Sequence, residues 1–393
     1  MKILHIADYY MPGMGYQENF LPKWNAAQNN EVYLITGDRY YPIPDYDNSW
    51  GKVLGNRICG VGKYIENNVN FIRLPVLFEI KGRPWLKNLK KHILSIKPDV
   101  IMIHGTSSFN FYRVPLIAKR LKIPCLADNH MVFHVIRKNL INSILIFIHR
   151  ILIKYFYINL VHKFIGVTKE TCKYLIKYEK IPKEKVFLLP LGIDSTLFNA
   201  NNSKNYNLSP NDPIVVMQTG KLSEDKKPQW LAEAVIKLLS NSINIKCLFV
   251  GGGSDKIRRY IEELFIKNEV RSRLEFIDFV KVEDLPKLYS QADICVYPNG
   301  TSLSALEAAA CGSAVIMADY DVGIDRANDG IGITYETGNI TDLAIKIKSL
   351  STDEKFRKKI ISTSLDSINK DYSYESISKK LLNLCNDSLK ELN

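Results

Sequence analysis

The stretch Tyr297-Pro-Asn-Gly-Thr-Ser-Leu-Ser-Ala-Leu-Glu-Ala-Ala-Ala-Cys-Gly312, followed by the apolar run Ser313–Asp319, decides how this chain is read. It predicts a strand over Ala292–Pro298, a glycine-containing turn, a helix beginning near Ser302, and a further strand after Gly312. A turn of small residues feeding a helix leaves backbone N–H groups free at the helix start, where the helix dipole also favours anions. Glu307 falls one turn inside that helix, and Ala308–Ala310 are small enough to let another element approach closely. Such a site suits a nucleoside diphosphate, with the amides of Gly300, Thr301, Ser302 and Leu303 on phosphate and Glu307 on ribose hydroxyls. A capping box between Ser304 and Glu307 is the competing, purely structural use of the carboxylate.

Working outward, strands alternate with helical stretches twice. In the first half the apolar runs are Lys2–Ala7, Glu31–Thr36, Asp99–His104, Pro124–Asp128, Phe164–Val167 and Val186–Pro190. In the second they are Ile214–Thr219, Ile245–Val250, Leu274–Phe279, Asp293–Tyr297, Ala314–Ala318 and Gly332–Tyr335. Continuous apolar runs that empty into Gly, Asp, His or Thr are the mark of buried parallel strands ending at functional loops. The polar, Asn/Ser-rich segment between Leu191 and Pro213 reads as a linker. Two βαβ series joined by one linker predict an α/β chain of two Rossmann-like domains facing a cleft.

At 393 residues, 46% hydrophobic and 24% charged, the chain is long and apolar enough for two cores. Seven scattered cysteines without CxxC spacing indicate neither a disulfide framework nor a zinc site. No signal-peptide pattern opens the sequence, so a reduced, cytoplasmic setting is expected. The formal charge of +12 is uneven: residues 51–200 hold 25 Lys/Arg against 8 Asp/Glu, or +17. That half is expected to meet something anionic. A nucleic acid is not expected, because no recognition module accompanies the charge.

Several motifs, taken in order, resemble those of the family-four retaining glycosyltransferases of GT-B fold (group 1 glycosyltransferases). Asp8–Gln17 is similar to the family's Gly-bearing loop after the first strand, and Pro98–Gly105 to its PDVIHxHG strand. Leu189–Phe198 resembles PNGVDxxxF, Gly220–Pro228 resembles GRLxxEKxxD, and Leu285–Pro298 resembles LPxLYxxADxxVxP. The opening stretch resembles the second half of the Glu–seven residues–Glu signature. The resemblance covers nearly all of the chain. It implies an acceptor domain over residues 1–200, a nucleotide-sugar domain over 201–372, and a last helix over 373–393 that crosses back to the first domain.

Lys221 and Lys226, just after a strand ending at Gly220, are expected to neutralise the diphosphate as the sugar leaves. Lys221 stands where the family usually has Arg, which keeps the charge but loses the bidentate fork. Asn299 replaces the first Glu of the signature; it can hydrogen-bond a sugar hydroxyl but supplies no negative charge and no covalent nucleophile. By resemblance His130 lies near the transferred sugar as a positioning group, Gly15 admits the donor, and His104 belongs to the acceptor side. Lys226 and Asn299 complete the expected catalytic group.

Arg137–Lys163 is apolar and basic at helical spacing, with no apolar run beyond five residues, so it is expected to lie on a membrane and not to span one. Arg150 and Lys154 from this stretch, and Trp85 within Lys81–Lys91, are the expected contacts with an anionic surface. Together these readings predict a metal-independent, cofactor-free, retaining hexosyl or N-acetylhexosaminyl transferase. It would move sugar from a nucleotide sugar, UDP-linked by expectation, to a lipid-linked or surface-glycan acceptor at the cytosolic membrane face. A non-catalytic scaffold partner and a sugar-nucleotide epimerase of the same fold are the alternatives.

Overall fold

The computed structural model describes residues 1–13, 16–47, 50–131, 140–200, 212–300 and 302–392. Gly15 and Thr301 therefore lie outside the described residues, as do 201–211 of the expected linker. The chain divides into two compact α/β units, Met1–Leu191 with Tyr374–Asn393, and Gly192–Ser373.

The first unit is built on β1 (Lys2–Ala7), β2 (Glu31–Gly37), β3 (Gly62–Glu66), β4 (Val69–Leu74), β7 (Val100–His104), β8 (Cys125–Asn129), β9 (Lys163–Gly166) and β10 (Val186–Leu188). They order as β10-β9-β8-β7-β1-β2-β4-β3, all neighbours parallel except the β3–β4 hairpin. From Ile3 to Ala7 the first strand is apolar and buried, His5 being its one polar residue, because both of its faces are covered. β5 (Val76–Ile80) and β6 (Arg83–Leu86) form a separate antiparallel ribbon. Lys81–Lys91, read from sequence as a membrane contact, is thus the turn and second strand of this ribbon leading into a helix. The helix Tyr374–Lys390 belongs to this unit: Tyr374, Ile377, Leu381 and Cys385 share a core with Leu21 and Ala26.

The second unit holds β11 (Ile214–Thr219), β12 (Ile245–Val250), β13 (Leu274–Ile277), β14 (Ile294–Tyr297), β15 (Ala314–Ala318) and β16 (Ile333–Tyr335) in the parallel order β13-β12-β11-β14-β15-β16. Ile193 and Phe198 pack with Met217, Tyr289 and Leu306, so the start of the expected linker is anchored in the core of this unit. Sequential connections run outward from β11 on one side and from β14 on the other. The order thus reverses between β11 and β14, as it does between β1 and β7 in the first unit. Ligand crevices of doubly wound sheets open at the carboxyl ends of such strand pairs.

Candidate functional site

In the second unit the loops after β11 and β14 meet at the switch point, and they carry Lys221–Lys226 and Asn299–Leu303. Three carbonyls flanking the second loop are taken by side chains. Tyr335 donates to Pro298 O at 2.5 Å, Arg326 Nη1 to Ser302 O at 2.6 Å, and Tyr297 to Ser304 O at 2.6 Å. Among the described residues nothing accepts from the N–H groups of Gly300, Ser302 or Leu303. The loop is therefore held by its acceptors and keeps its donors available, which fits an anionic ligand.

The helix that follows runs Ser304–Ala310 with Leu303 at its N-cap and no side-chain cap bond. The capping box of Ser304 and Glu307 is thus not formed. Glu307 Oε2 instead accepts from the Tyr289 hydroxyl at 3.0 Å, and Thr219 Oγ1 lies 3.1 Å from the hydroxyls of both Tyr289 and Tyr297. Burial pushes the Glu307 carboxyl up to about 7, against the Tyr289 bond and the Arg326 charge. Burial likewise brings the Arg326 guanidinium down to about 10. A half-buried carboxylate beside a fixed phenol suits the hydroxyls of a polyol such as ribose.

Gly300 has φ 68°, and a Cβ there would lie 3.5 Å from Lys226 Nζ, so the ammonium stands against the loop. Lys221 is exposed. Asn299 Nδ2 donates to Asp225 O at 2.6 Å and its Oδ1 accepts from Tyr320. The Gly251-Gly-Gly253 run has a packing role. A Cβ at Gly251 would sit 2.4 Å from Gly220 O and one at Gly253 2.3 Å from Leu222 O, so the loops after β11 and β12 touch backbone to backbone.

The first unit has its own pocket at the β1/β7 switch point, about 290 Å³ in volume, lined by Asp8, Tyr9, Tyr16, Glu18, Tyr41 and His104 among others, with His130 at its edge. Behind it runs a buried polar chain. Asn25 Nδ2 donates to Ser378 Oγ at 2.6 Å, and Asn25 Oδ1 meets His5 Nε2 at 2.9 Å. His5 Nδ1 lies 3.1 Å from His104 Nε2, and His104 Nδ1 lies 2.7 Å from Asp128 Oδ2. Asp128 Oδ1 accepts from Gly105 N at 2.7 Å and faces His130 Nε2 at 3.5 Å. Burial alone would raise the Asp128 carboxyl; the two histidines hold it below the usual carboxylate range. Burial and the His104 charge push His5 down to about 3, so it is neutral. Burial works to lower His130, but Asp128, with help from Glu18, leaves it raised above its ordinary value. Burial lifts Asp8 to about 6, and the Asn110 amide donates to it at 2.8 Å. Tyrosine rings beside carboxylates and imidazoles form a surface suited to a sugar ring, with apolar faces on the aromatics and hydroxyls on the polar groups.

The remaining sequence-level residues fall elsewhere. Trp85 is half-buried between Phe78 and Phe109, at ring distances of 5.5 and 6.0 Å, with the Arg113 guanidinium 4.1 Å over its ring. It is packed inside an aromatic cluster and is not a free headgroup anchor. Arg150 lies over Tyr178 at 4.3 Å, tying its helix to the body, while Lys154 is exposed. Asp8, Glu18, Asp128, Tyr289, Arg326 and Tyr320 were missed by sequence reasoning. Asp8 and Asp128 end strands, a signal open to reading; the others gain meaning only from partners distant in the chain. Among the described residues no group of three or more His, Cys, Asp or Glu side chains is placed to hold a metal.

Two family models cover adjoining halves of the chain: Glycosyltransferase Family 4 over residues 25–197 and Glycosyl transferases group 1 over 199–365. An uncharacterized glycosyltransferase of Methanocaldococcus jannaschii is 26% identical over 231 residues, which cover 56% of this chain and 58% of that protein. The N,N'-diacetylbacillosaminyl-diphospho-undecaprenol alpha-1,3-N-acetylgalactosaminyltransferase of Campylobacter jejuni is 36% identical over 78 residues, 19% of this chain and 21% of its own. The chain thus spans about half, or less, of the curated relatives it matches. The structure of Anabaena Alr3699/HepE in complex with UDP superposes with a TM-score of 0.69 at 14% identity, over 98% of this chain and 100% of that one, and shares the fold.

Proposed function

This chain belongs to the group 1, family-four glycosyltransferases of GT-B fold, and from that membership we propose that it transfers a hexosyl or N-acetylhexosaminyl group from a UDP-sugar with retention at the anomeric carbon. The observation that carries the reading is the switch-point arrangement of the second unit. Tyr289 orients the Glu307 carboxylate, and Lys226 stands beside a loop with unused N–H donors, which supports ribose on the first and the diphosphate on the second. Charge builds on the diphosphate as the glycosidic bond breaks, and fixed donors aimed at it lower the barrier without reorganisation. These donors need no metal, so none is assigned. An amide at position 299 offers no nucleophile, which favours attack by the acceptor from the face the diphosphate leaves. UDP bound by the Anabaena neighbour supports the choice of base.

The acceptor is proposed to be a lipid-linked sugar, its ring in the Asp8–His104 pocket of the first unit. The Campylobacter relative, named for a diphospho-undecaprenol acceptor, supports this. The helix Leu140–Leu152 and the turn Ile153–Tyr157 expose Ile144, Leu145, Phe147, Ile148, Ile151, Tyr155 and Phe156 while Ile153 and Tyr157 are buried. No described helix is long and apolar enough to cross a membrane, so this face would lie in the interface of an anionic leaflet, with Lys154 near its headgroups.

The test is calorimetric titration with a panel of nucleotide sugars, followed by product analysis with lipid-linked acceptors in the presence of EDTA. Selective binding of one UDP-sugar and EDTA-resistant, retaining transfer support the proposal. Binding of that donor without transfer to any acceptor leaves the scaffold reading in its place.

A further inference from the structure

Asn299 occupies the position at which the family resemblance implies a contact with the transferred sugar, yet both ends of its amide are already committed. Nδ2 donates to Asp225 O at 2.6 Å, and Oδ1 accepts from the Tyr320 hydroxyl. The partners come from different loops: Asp225 follows β11, Asn299 follows β14, and Tyr320 follows β15, three strands adjacent in the sheet. One amide therefore pins three neighbouring strand ends together.

What it pins is the segment that carries the ammonium. Asp225 immediately precedes Lys226, and the Lys226 N–H bonds back to Ser223 O at 3.0 Å, so the Asp225 carbonyl fixes the turn. Gly300, the residue after Asn299, is the one against which Lys226 Nζ rests. The side chain of Asn299 thus holds the backbone of the lysine's turn while its own chain supplies the surface where the lysine head lies. Leu222 anchors the start of this loop in the core, whereas Glu224 and Asp225 are exposed, so at Asp225 the Asn299 bond is the contact that ties the turn to the next strand end. An amide suits the task because it donates to a carbonyl and accepts from a phenol at once. A carboxylate would keep the Tyr320 bond but would turn an acceptor toward the Asp225 carbonyl.

We propose that Asn299, braced by Tyr320, is a positioning residue that sets Lys226 Nζ against the diphosphate, and that it is not a ligand of the transferred sugar. The proposal rests on the assignment of Lys226 and Gly300 to the donor diphosphate. UDP and UDP-sugars share that diphosphate, so the brace acts equally on both and acts only through Lys226.

The experiment is calorimetric binding of UDP and of the preferred UDP-sugar to the full chain. The variants are Asn299→Ala, Asn299→Asp, Tyr320→Phe, Lys226→Ala and the Asn299→Ala/Lys226→Ala double variant, with melting temperatures taken alongside. Each variant is expected to weaken UDP and the UDP-sugar by the same factor: Asn299→Asp and Tyr320→Phe by about fivefold, the worth of one hydrogen bond, and Asn299→Ala, which removes two, by more. In the Lys226→Ala background the Asn299→Ala effect is expected to fall below about twofold, the signature of two residues acting as one unit. Loss confined to the UDP-sugar, a silent Tyr320→Phe, or an equal Asn299→Ala effect with and without Lys226 would overturn the proposal. If the wild-type chain binds neither UDP nor any UDP-sugar, the donor-site assignment itself falls. If it binds both and the Asn299 and Tyr320 variants are indifferent, only the brace falls.

Discussion

Tyr289 donates its phenolic hydrogen to Glu307 across 3.0 Å, and Thr219 stands 3.1 Å behind the same phenol. The bond orients a carboxyl whose burial raises it to about 7 from an ordinary value of 4.5. Between those two pH values the folded chain holds a proton that the unfolded chain has released. Stability therefore falls as pH rises through this window and levels off above it. Glu307→Gln keeps an acceptor for Tyr289 and removes the ionisation. It is expected to raise stability at pH 8 by on the order of 2 kcal/mol and to change it little at pH 4, as read from denaturant melts. Equal effects at both pH values would refute the shifted carboxyl.

The same titration governs the donor. If ionised Glu307 accepts from ribose hydroxyls, UDP-sugar affinity should drop about tenfold from pH 8 to pH 6, following the ionised fraction of a group near 7. The esterified diphosphate of a UDP-sugar does not titrate there, so Glu307→Gln should flatten the profile. A profile unchanged by that substitution would remove Glu307 from the ribose.

Lys226→Ala removes a charge aimed at the leaving diphosphate from beside Gly300. The expected cost in kcat is about 10²–10³-fold, the scale of a lost donor at a developing anion. The measurement is steady-state transfer, with melting temperature as control. A rise in KM alone, with kcat unchanged, would mean that the lysine binds ground state and transition state alike.

The parallel strands were legible because burial on both faces makes them continuous apolar runs, as in Ala314–Ala318. The ribbon Val76–Leu86 and the edge strand Gly62–Glu66 were not, since the latter is exposed along its whole length and shows no apolar run. Its hairpin did leave a signal: Asn67 and Asn68, both at positive φ, form the kind of two-residue turn such hairpins favour. The Glu307 helix was read almost in place, but the capping box its sequence allows is not formed: Leu303 is the N-cap and the carboxylate meets Tyr289, a partner 18 residues away. The His5–His104 contact joins residues 99 apart on adjacent strands, and only the order β7-β1 creates it. Asn299 was legible as a departure from a motif; its work as a brace depends on Tyr320, 21 residues away.

Asp128 holds two imidazoles, and it raises His130 against the pull of burial. A histidine raised in the folded state stabilises below its ordinary pKa of about 6.5, and that stabilisation is lost as pH climbs through the raised value. Asp128→Asn should therefore lower the His130 titration midpoint followed by NMR, and weaken stability more at pH 6 than at pH 8. It also takes the charge from the His104 contact at 2.7 Å, so transfer should slow while donor binding in the second unit stays unchanged. A midpoint that does not move would detach His130 from Asp128.

The outer face of the segment 144–156 leaves a run of large apolar side chains bare. Phe147 and Phe156 are 60% and 61% exposed. The inner face is fixed by other means: His149 lies 2.5 Å from the Tyr112 hydroxyl and 3.2 Å from the buried Glu179 carboxylate, and Arg150 stacks on Tyr178. Changing outer residues should therefore leave the helix seated. Burying a phenylalanine in lipid gains about 1.5–3 kcal/mol, so Phe147→Asp/Phe156→Asp should cut partition onto vesicles with anionic lipid by at least about tenfold. Exposed positions tolerate substitution within about 0.5 kcal/mol, so the melting temperature should hardly move. Transfer to a water-soluble acceptor analogue should persist while transfer to a vesicle-borne one falls. Undiminished vesicle binding by the double variant would remove this face from the membrane, and with it the argument that the acceptor arrives on a lipid.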